Sequence, residues 1–209
     1  MKQKRLQAIA DLVDTESIID VGCDHALLCI YLTKKKIKCR GTDISDKVIK
    51  KAYENLVKYN MADKIELIVT NGIDGIDIMN TDTIVIAGMG TKTILDILKN
   101  YRLDNQLIIS SNNNLEELRR NVVKKGYYIF DEQVIYEKKH YYVIIKFKKG
   151  RKKYSKYDYI FGPISKHDRE YMNYILNKYT NILNKLSGKH LLKKIKLKCY
   201  IKQIKKLIS

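Results

Sequence analysis

Along the chain, short apolar, β-branched runs alternate with longer segments whose apolar residues recur every three or four positions. Five runs, Ser17–Val21, Ile37–Thr42, Ile65–Val69, Thr83–Ala87 and Gln106–Ser110, predict strands. Helical periodicity occupies Lys4–Val13, Ala26–Lys35, Lys47–Tyr59, Lys92–Leu98 and Leu115–Lys124. Strands and helices that alternate over short connections predict a parallel sheet with helices on both faces. Two further runs, Tyr127–Tyr136 and Tyr141–Phe147, are separated only by Glu137-Lys138-Lys139-His140. So short a link has no room for a crossover helix, which predicts an antiparallel hairpin.

A basic linker follows, from Lys148-Lys149-Gly150-Arg151 to Gly162-Pro163, the only proline. Beyond it, Met172, Ile175, Tyr179, Ile182 and Leu186 are spaced 3 or 4 apart, and so are Leu197, Ile201, Ile204 and Ile208. Ser187-Gly188 interrupts the pattern. Two apolar seams joined by a tight turn predict an antiparallel helical hairpin with coiled-coil packing. The chain therefore divides into an α/β domain over 1–150 and a helical domain over 151–209.

Composition limits what the chain can be. It has 209 residues, 45% of them hydrophobic, enough for one well-buried domain and an appendage. No apolar run is long enough to span a membrane, and the charged start lacks the apolar stretch of a secretory signal, so a cytoplasmic location is expected. Cys23, Cys29, Cys39 and Cys199 have no C-x-x-C spacing and read as free thiols, with no metal site expected. The net charge is +18 and unevenly placed: residues 151–209 carry 16 Lys/Arg against 3 Asp/Glu. Concentrated positive charge suits a polyanion, most commonly nucleic acid. A solvated lysine face, in a chain rich in Lys, Ile, Asn and Tyr, is the plainer alternative.

The candidate chemistry lies where strands end. Ile18-Ile19 close the first strand and lead into Asp20-Val21-Gly22-Cys23-Asp24-His25. Gly22 permits a tight turn close to a ligand. A dinucleotide loop would carry G-x-G-x-x-G so that pyrophosphate can approach the backbone. Here Asp24 stands at the second glycine position, where it would repel phosphate. An acidic loop instead suits a cationic cofactor without phosphates, and S-adenosylmethionine, with its amino group and sulfonium, fits. Asp24 can equally be read as a helix N-cap. Asp43, followed by Ile44 at the end of the second strand, lies about 20 positions on, where an acidic side chain accepts ribose hydroxyls. Asn71-Gly72 after the third strand is placed to meet the adenine ring. Ala87-Gly88-Met89-Gly90 after the fourth is small enough for a flat base and a methyl group to meet. Ordinary turn chemistry is the alternative for both.

The motifs D-V-G-C-D-H-A, G-T-D-I-S, T-N-G-I, I-A-G-M-G and L-I-I-S-S-N, with F-G-P before a helical hairpin, cover nearly the whole chain in order. Together they resemble the bacterial tRNA adenine-22 N1-methyltransferase family. The resemblance implies a class I, Rossmann-like methyltransferase sheet, parallel with a C-terminal antiparallel hairpin, plus the helical hairpin. It also implies S-adenosylmethionine as cofactor, tRNA as partner and N1 of an adenine as the methyl acceptor. The chain departs from the family at two places: Thr91 stands for the last glycine of A-G-M-G-G, and Ser110-Ser111-Asn112 stands for Q-P-N. Only Asn112 carries over there, and a proline-fixed loop is expected to become flexible.

The chemistry asked of the site is modest. The N-P-P-Y tetrapeptide of exocyclic-amine methyltransferases is absent, which disfavours attack by N6. Ring N1 has a free lone pair and needs orientation more than a base. A carboxylate would favour the cationic methylated ring. Asp24, with His25, Met89 and Asn112, is the candidate catalytic set; Asp20, Gly22, Cys23, Asp24, His25, Asp43, Ile44, Asn71, Gly72, Ala87 and Gly88 are the candidate cofactor residues. The target base must leave a folded tRNA, which the basic hairpin would hold by its phosphates. Tyr154, Tyr157 and Tyr159 can stack on bases or simply pack. No protein partner is implied and a monomer is expected. A non-catalytic RNA-binding protein and a small-molecule methyltransferase stay as alternatives, with a nicotinamide dehydrogenase behind them.

Overall fold

A computed structural model of the chain describes residues 3–79, 81–187 and 190–209. It divides into two compact units, Met1–Lys153 and Tyr154–Ser209. The first runs α1 (Lys4–Asp11), β1 (Ser17–Val21), α2 (Leu27–Lys34), β2 (Lys38–Asp43), α3 (Asp46–Lys58), β3 (Ile65–Val69), β4 (Thr83–Met89), α4 (Thr91–Lys99), β5 (Gln106–Ser111), α5 (Leu115–Lys124), β6 (Tyr127–Glu137) and β7 (His140–Lys149). The strands form one seven-stranded sheet in the order β3-β2-β1-β4-β5-β7-β6. The pairs β3·β2, β2·β1, β1·β4 and β4·β5 are parallel, while β5·β7 and β7·β6 are antiparallel. This is the expected parallel sheet ending in a hairpin.

The central strands are buried on both faces, as parallel strands between helix layers must be. Ile18, Ile19 and Val21 of β1 and Ile84, Val85 and Ile86 of β4 are all at most 1% exposed. Ala8, Ile9, Leu28, Leu32, Ala52 and Leu56 from α1, α2 and α3 pack in one core with Ile18, Val85 and Ile108. Ser45 caps α3 by accepting the Val48 amide at 3.4 Å. The order of the sheet reverses at β1/β4, and the carboxyl ends of β1, β2 and β4 open there, the place where ligands bind such sheets.

One feature differs from the sequence expectation. The β6–β7 link is Lys138-Lys139 alone, both residues with positive φ (49° and 64°), the backbone of a tight hairpin turn made without the usual Asn-Gly. Two buried cations are paired with carboxylates. Arg119 of α5 meets Glu132 of β6 at 2.7 Å with both side chains fully buried, and Lys146 of β7 donates to the Leu12 carbonyl at 2.8 Å and pairs with Asp14. Lys146 and Lys148 hold the Asp14 carboxyl below its ordinary range against the opposing effect of burial.

In the second unit the linker is not all linker. Residues Lys156–Phe161 form α6, closed at its start by a reciprocal capping box between Ser155 and Asp158. A 3-10 turn (Ser165–His167), α7 (Arg169–Lys185) and α8 (Leu191–Ile208) follow, and α7 packs along α8. Phe161, Met172, Leu197, Tyr200 and Ile204 are buried. Phe161 and Tyr179 each lie 5.9 Å from the Tyr200 ring. Ile175, Tyr179, Ile182, Leu186, Ile201 and Ile208 of the predicted seams are half-buried. α7 ends at Lys185, and Gly188 of the predicted break lies outside the described residues. Tyr157 stacks on Phe161, and Tyr154 packs edge-on to Tyr159, so these rings have neighbours within the unit. No helix among the described residues is long and apolar enough to cross a membrane.

Candidate active site

The first loop is fastened to β2. The amides of Gly22 and Cys23 both donate to the Thr42 carbonyl, at 2.8 and 2.9 Å. Gly22 has φ +72°, and a Cβ there would stand 2.2 Å from Met89 Cε. The left-handed backbone demands glycine there, and the end of the Met89 side chain, which brings the end of β4 onto the first loop, fills the space a side chain would take. Asp24 (φ 49°) and Ala26 (φ 53°) both adopt the left-handed conformation that side chains rarely take. The residue at the N-cap of α2 is Ala26, without a side-chain cap. Asp24 is thus not the cap that its position allowed. Its side chain is 77% exposed, with Oδ1 3.7 Å from Nε2 of the half-exposed His25. The His25 carbonyl accepts from Asn55 Nδ2 of α3 at 3.1 Å, which steadies the loop from outside.

Beneath the loop the acid is buried. Asp20 is 7% exposed, and its main close partner is the Cys29 thiol, 3.9 Å away. Burial, with the nearby Asp24 charge adding, pushes its carboxyl up to about 7 against the thiol's opposing effect. Cys23 is also buried; burial and the Asp20 and Asp43 carboxylates push its thiol up to about 12. Its Sγ would lie 3.0 Å from a Cβ on Gly41, its amide donates to Thr42 and its carbonyl accepts from Ala26. Cys23, expected among the cofactor residues, stands in this loop between Gly22 and Asp24, with its side chain packed towards Gly41.

Asp43 stands half-buried at the end of β2. Its Oδ1 accepts the Ser45 amide at 2.9 Å, and Oδ2 has no protein partner among the described residues. Beside it Ile44 is 72% exposed. Thr42 Oγ1 donates to the Gly72 carbonyl at 2.9 Å, which holds the turn after β3 against β2; Asn71 is exposed. At the end of β4 the pairing with β5 shifts register between Ala87 and Met89, at Gly88 (φ +88°). Asn112 crosses from the end of β5. Its Nδ2 donates to the Gly88 carbonyl at 2.7 Å and its amide to the Met89 carbonyl at 2.9 Å. Asp20, Gly22, Asp24, His25, Asp43, Ile44, Asn71, Gly72, Ala87, Gly88, Met89 and Asn112 thus gather along the carboxyl ends of β1, β2, β3, β4 and β5.

The loop expected to be flexible is pinned. Thr91 is 1% exposed; its Oγ1 lies 2.8 Å from Ser111 Oγ and donates to the Asn113 carbonyl at 2.6 Å, while its amide donates to Asn113 Oδ1 at 2.9 Å. The two departures from the family pattern are one device: a hydroxyl at 91 meets a hydroxyl at 111 and replaces a rigid proline with hydrogen bonds. Sequence reasoning missed the pairing because 20 residues separate the two. It also missed Arg5, whose guanidinium reaches Gly88; nothing in the Lys4-Arg5-Leu6 helix start distinguishes it. Among the described residues no cluster of His, Cys, Asp and Glu could hold a metal ion.

The sheet order, the acidic first loop without a phosphate cradle, and the Asp43 carboxylate at the end of β2 define a class I methyltransferase. A methyltransferase-domain family model matches residues 2–145. A TrmK of M. capricolum, solved with S-adenosylhomocysteine, is 32% identical at TM-score 0.85, with 100% of this chain and 98% of that one covered. The chain belongs to the methyltransferase-domain family, in its TrmK branch. A candidate tRNA (m1A22) methyltransferase of Streptococcus pneumoniae, solved with S-adenosylmethionine, is 27% identical at TM-score 0.84 over 100% of both chains. A candidate tRNA methyltransferase of Mycoplasma genitalium is 30% identical over 103 residues, 46% of this chain; the match spans about half (46%) of that relative's length.

Proposed function

We propose that the chain transfers the methyl group of S-adenosylmethionine to N1 of adenine 22 in tRNA. The observation that carries the reading is the pairing of two walls. Acidic groups with no phosphate cradle lie at the ends of β1 and β2, and the Gly88–Asn112 junction lies at the ends of β4 and β5. The substrates named for the S. pneumoniae relative, which is similar over its whole length, support it.

The residues fit the cofactor. Asp43 keeps Oδ2 available for ribose hydroxyls. Ile44, Asn71 and Gly72 border the position for an adenine ring. Asp20 and Asp24 supply negative charge where a cationic methionine moiety would lie, and Gly22, His25, Ala87 and Gly88 line the same edge. S-adenosylmethionine supplies an electrophilic methyl group on a sulfonium; everything else asked of the protein is placement. Ring N1 brings its own lone pair. Asn112 spends Nδ2 on Gly88 and leaves Oδ1 to accept an N6–H of the substrate, which aims N1. The exposed Asp24 carboxylate favours the positive ring that methylation creates, with His25 beside it. Met89, against Gly22, sets the depth of the slot.

In this reading residues 1–150 bind cofactor and carry the chemistry, and residues 151–209 grip tRNA. On α8 the exposed Lys193, Lys196, Lys198, Lys202, Lys205 and Lys206 offer phosphate contacts. One chain supplies every group, so a monomer suffices, and the substrate places the reaction in the cytoplasm. The test is transfer of labelled methyl from S-adenosylmethionine to a tRNA transcript with adenine at position 22, beside the same transcript with guanine there. Label on the first alone, recovered as 1-methyladenosine, is the expected result. Equal label on both, or none on either with cofactor bound, overturns the reading.

A further inference from the structure

Arg5 lies beside the site and is not among the groups given a role above. It sits in the first turn of α1, half-buried, with its guanidinium carbon 4.9 Å above the centre of the Tyr142 ring. A Cβ built on Gly88 would meet only this guanidinium, Nη2 at 3.8 Å and Nη1 at 4.0 Å. Arg5 therefore faces the open side of Gly88, while Asn112 holds the Gly88 carbonyl at 2.7 Å. Among the described residues the guanidinium has no hydrogen bond and no carboxylate. Glu137, at the tip of the β6–β7 hairpin, accepts instead from the Lys4 amide at 2.6 Å, which ties the start of α1 to the hairpin.

A planar cation with five donors, held on an aromatic face and left without an anion, is prepared for a ligand anion. We propose that Arg5 takes the phosphodiester next to the target base as that base enters over Gly88. The alternative anion, the cofactor's carboxylate, fits the placement less well. Tyr142 is on β7, and β5 and β4 stand between β7 and β1 in the sheet. The antiparallel register pairs Ile109 with Ile145, and continuing it brings Tyr142 level with Asn112. Arg5 thus approaches Gly88 from the hairpin side, and Asp43 lies on the far side at β2. Tyr142 fixes the guanidinium over the slot; the phosphate would fix the nucleotide on which Asn112 aims N1. This rests on the proposed tRNA substrate.

The experiment compares wild type, Arg5→Gln and Arg5→Lys in the full chain. Labelled tRNA binding is followed by anisotropy across a salt series, S-adenosylmethionine affinity by calorimetry, and kcat and KM for tRNA by methyl transfer. Removing one phosphate contact should lower the slope of log affinity against log salt by about one. Arg5→Gln should show that loss and a fall of about tenfold or more in kcat/KM for tRNA, with cofactor affinity within about twofold. Arg5→Lys should keep the slope but recover only part of the rate, since a point charge lacks the planar fork. An unchanged slope in Arg5→Gln, or a loss of cofactor affinity as large as the loss for tRNA, overturns the proposal. If wild type binds tRNA without methylating it, the reaction assigned above fails, and the salt slopes still decide Arg5.

Discussion

Replacing Asp20 by asparagine should remove a pH dependence of cofactor affinity that the wild-type chain carries. Burial raises this carboxyl from 3.8 to about 7, with the Asp24 charge adding to it and the Cys29 thiol partly offsetting it. A cationic cofactor favours the carboxylate, so binding draws the pKa back down and releases a proton whenever the free protein holds one. Affinity should then be flat above about pH 7 and fall towards a tenfold loss per unit below it. Between pH 8 and pH 6 the expected loss is about tenfold, or about 1.4 kcal/mol. Stability of the unliganded chain runs the other way. A carboxyl whose folded pKa is raised contributes stability that is fully present below 3.8 and is lost as pH rises through about 7. The neutral amide of Asp20→Asn should therefore bind cofactor more weakly at pH 8 and yet unfold at a higher temperature there. Calorimetry of cofactor binding from pH 6 to 8, in buffers of differing ionisation enthalpy, reads both affinity and proton count. The ratio of wild-type to variant affinity cancels the cofactor's own titration. If that ratio is constant from pH 6 to 8, the buried acid does not face the cofactor's charge and the reasoning fails.

Three further outcomes follow from the geometry. Thr91→Val removes the hydroxyl that joins Ser111 to Asn113. It should cost roughly 1–3 kcal/mol and lower kcat, and Ser111→Ala in the same background should add less than it does alone; additive losses in denaturant melts would show the hydroxyls act separately. Gly22→Ala places a methyl 2.2 Å from Met89 Cε at φ +72°, so it should weaken cofactor binding and stability together, and Met89→Ala should restore only the steric part; full restoration would mean the backbone is unstrained. Glu132→Ala removes the fully buried carboxylate facing Arg119 and should destabilise the first unit by roughly 3–5 kcal/mol in urea unfolding, whereas a loss under about 1 kcal/mol would mean water replaces it.

The order of strands and helices was readable because it rests on local periodicity. β1, apart from Asp20, and β4 are mostly apolar runs, and the helices repeat at three and four, which a linear string records directly. The same holds for the acidic loop: Asp24 in place of a second glycine excludes a phosphate cradle whatever the tertiary arrangement. The hairpin was legible as a hairpin, but its turn was not. Lys138 and Lys139 take positive φ under the pull of the flanking ladder, and nothing in two lysines announces it. α6 was passed over because six residues carry too little periodicity, although Ser155 and Asp158 held the signal of its start.

What the sequence determined by itself was the list of strand-end residues and their chemical character, since residue type and strand position are local properties. What only the tertiary structure decided was which of them touch. The 2.2 Å approach of Met89 to a Gly22 Cβ, the Thr91–Ser111 hydroxyl pair and the reach of Arg5 to Gly88 each join residues at least 20 positions apart. The pKa of Asp20 belongs to the same category, because burial that lifts a carboxyl from 3.8 to about 7 depends on layers packed around it. Pattern is carried by neighbours along the chain; contact and dielectric arise only when distant segments close over one another.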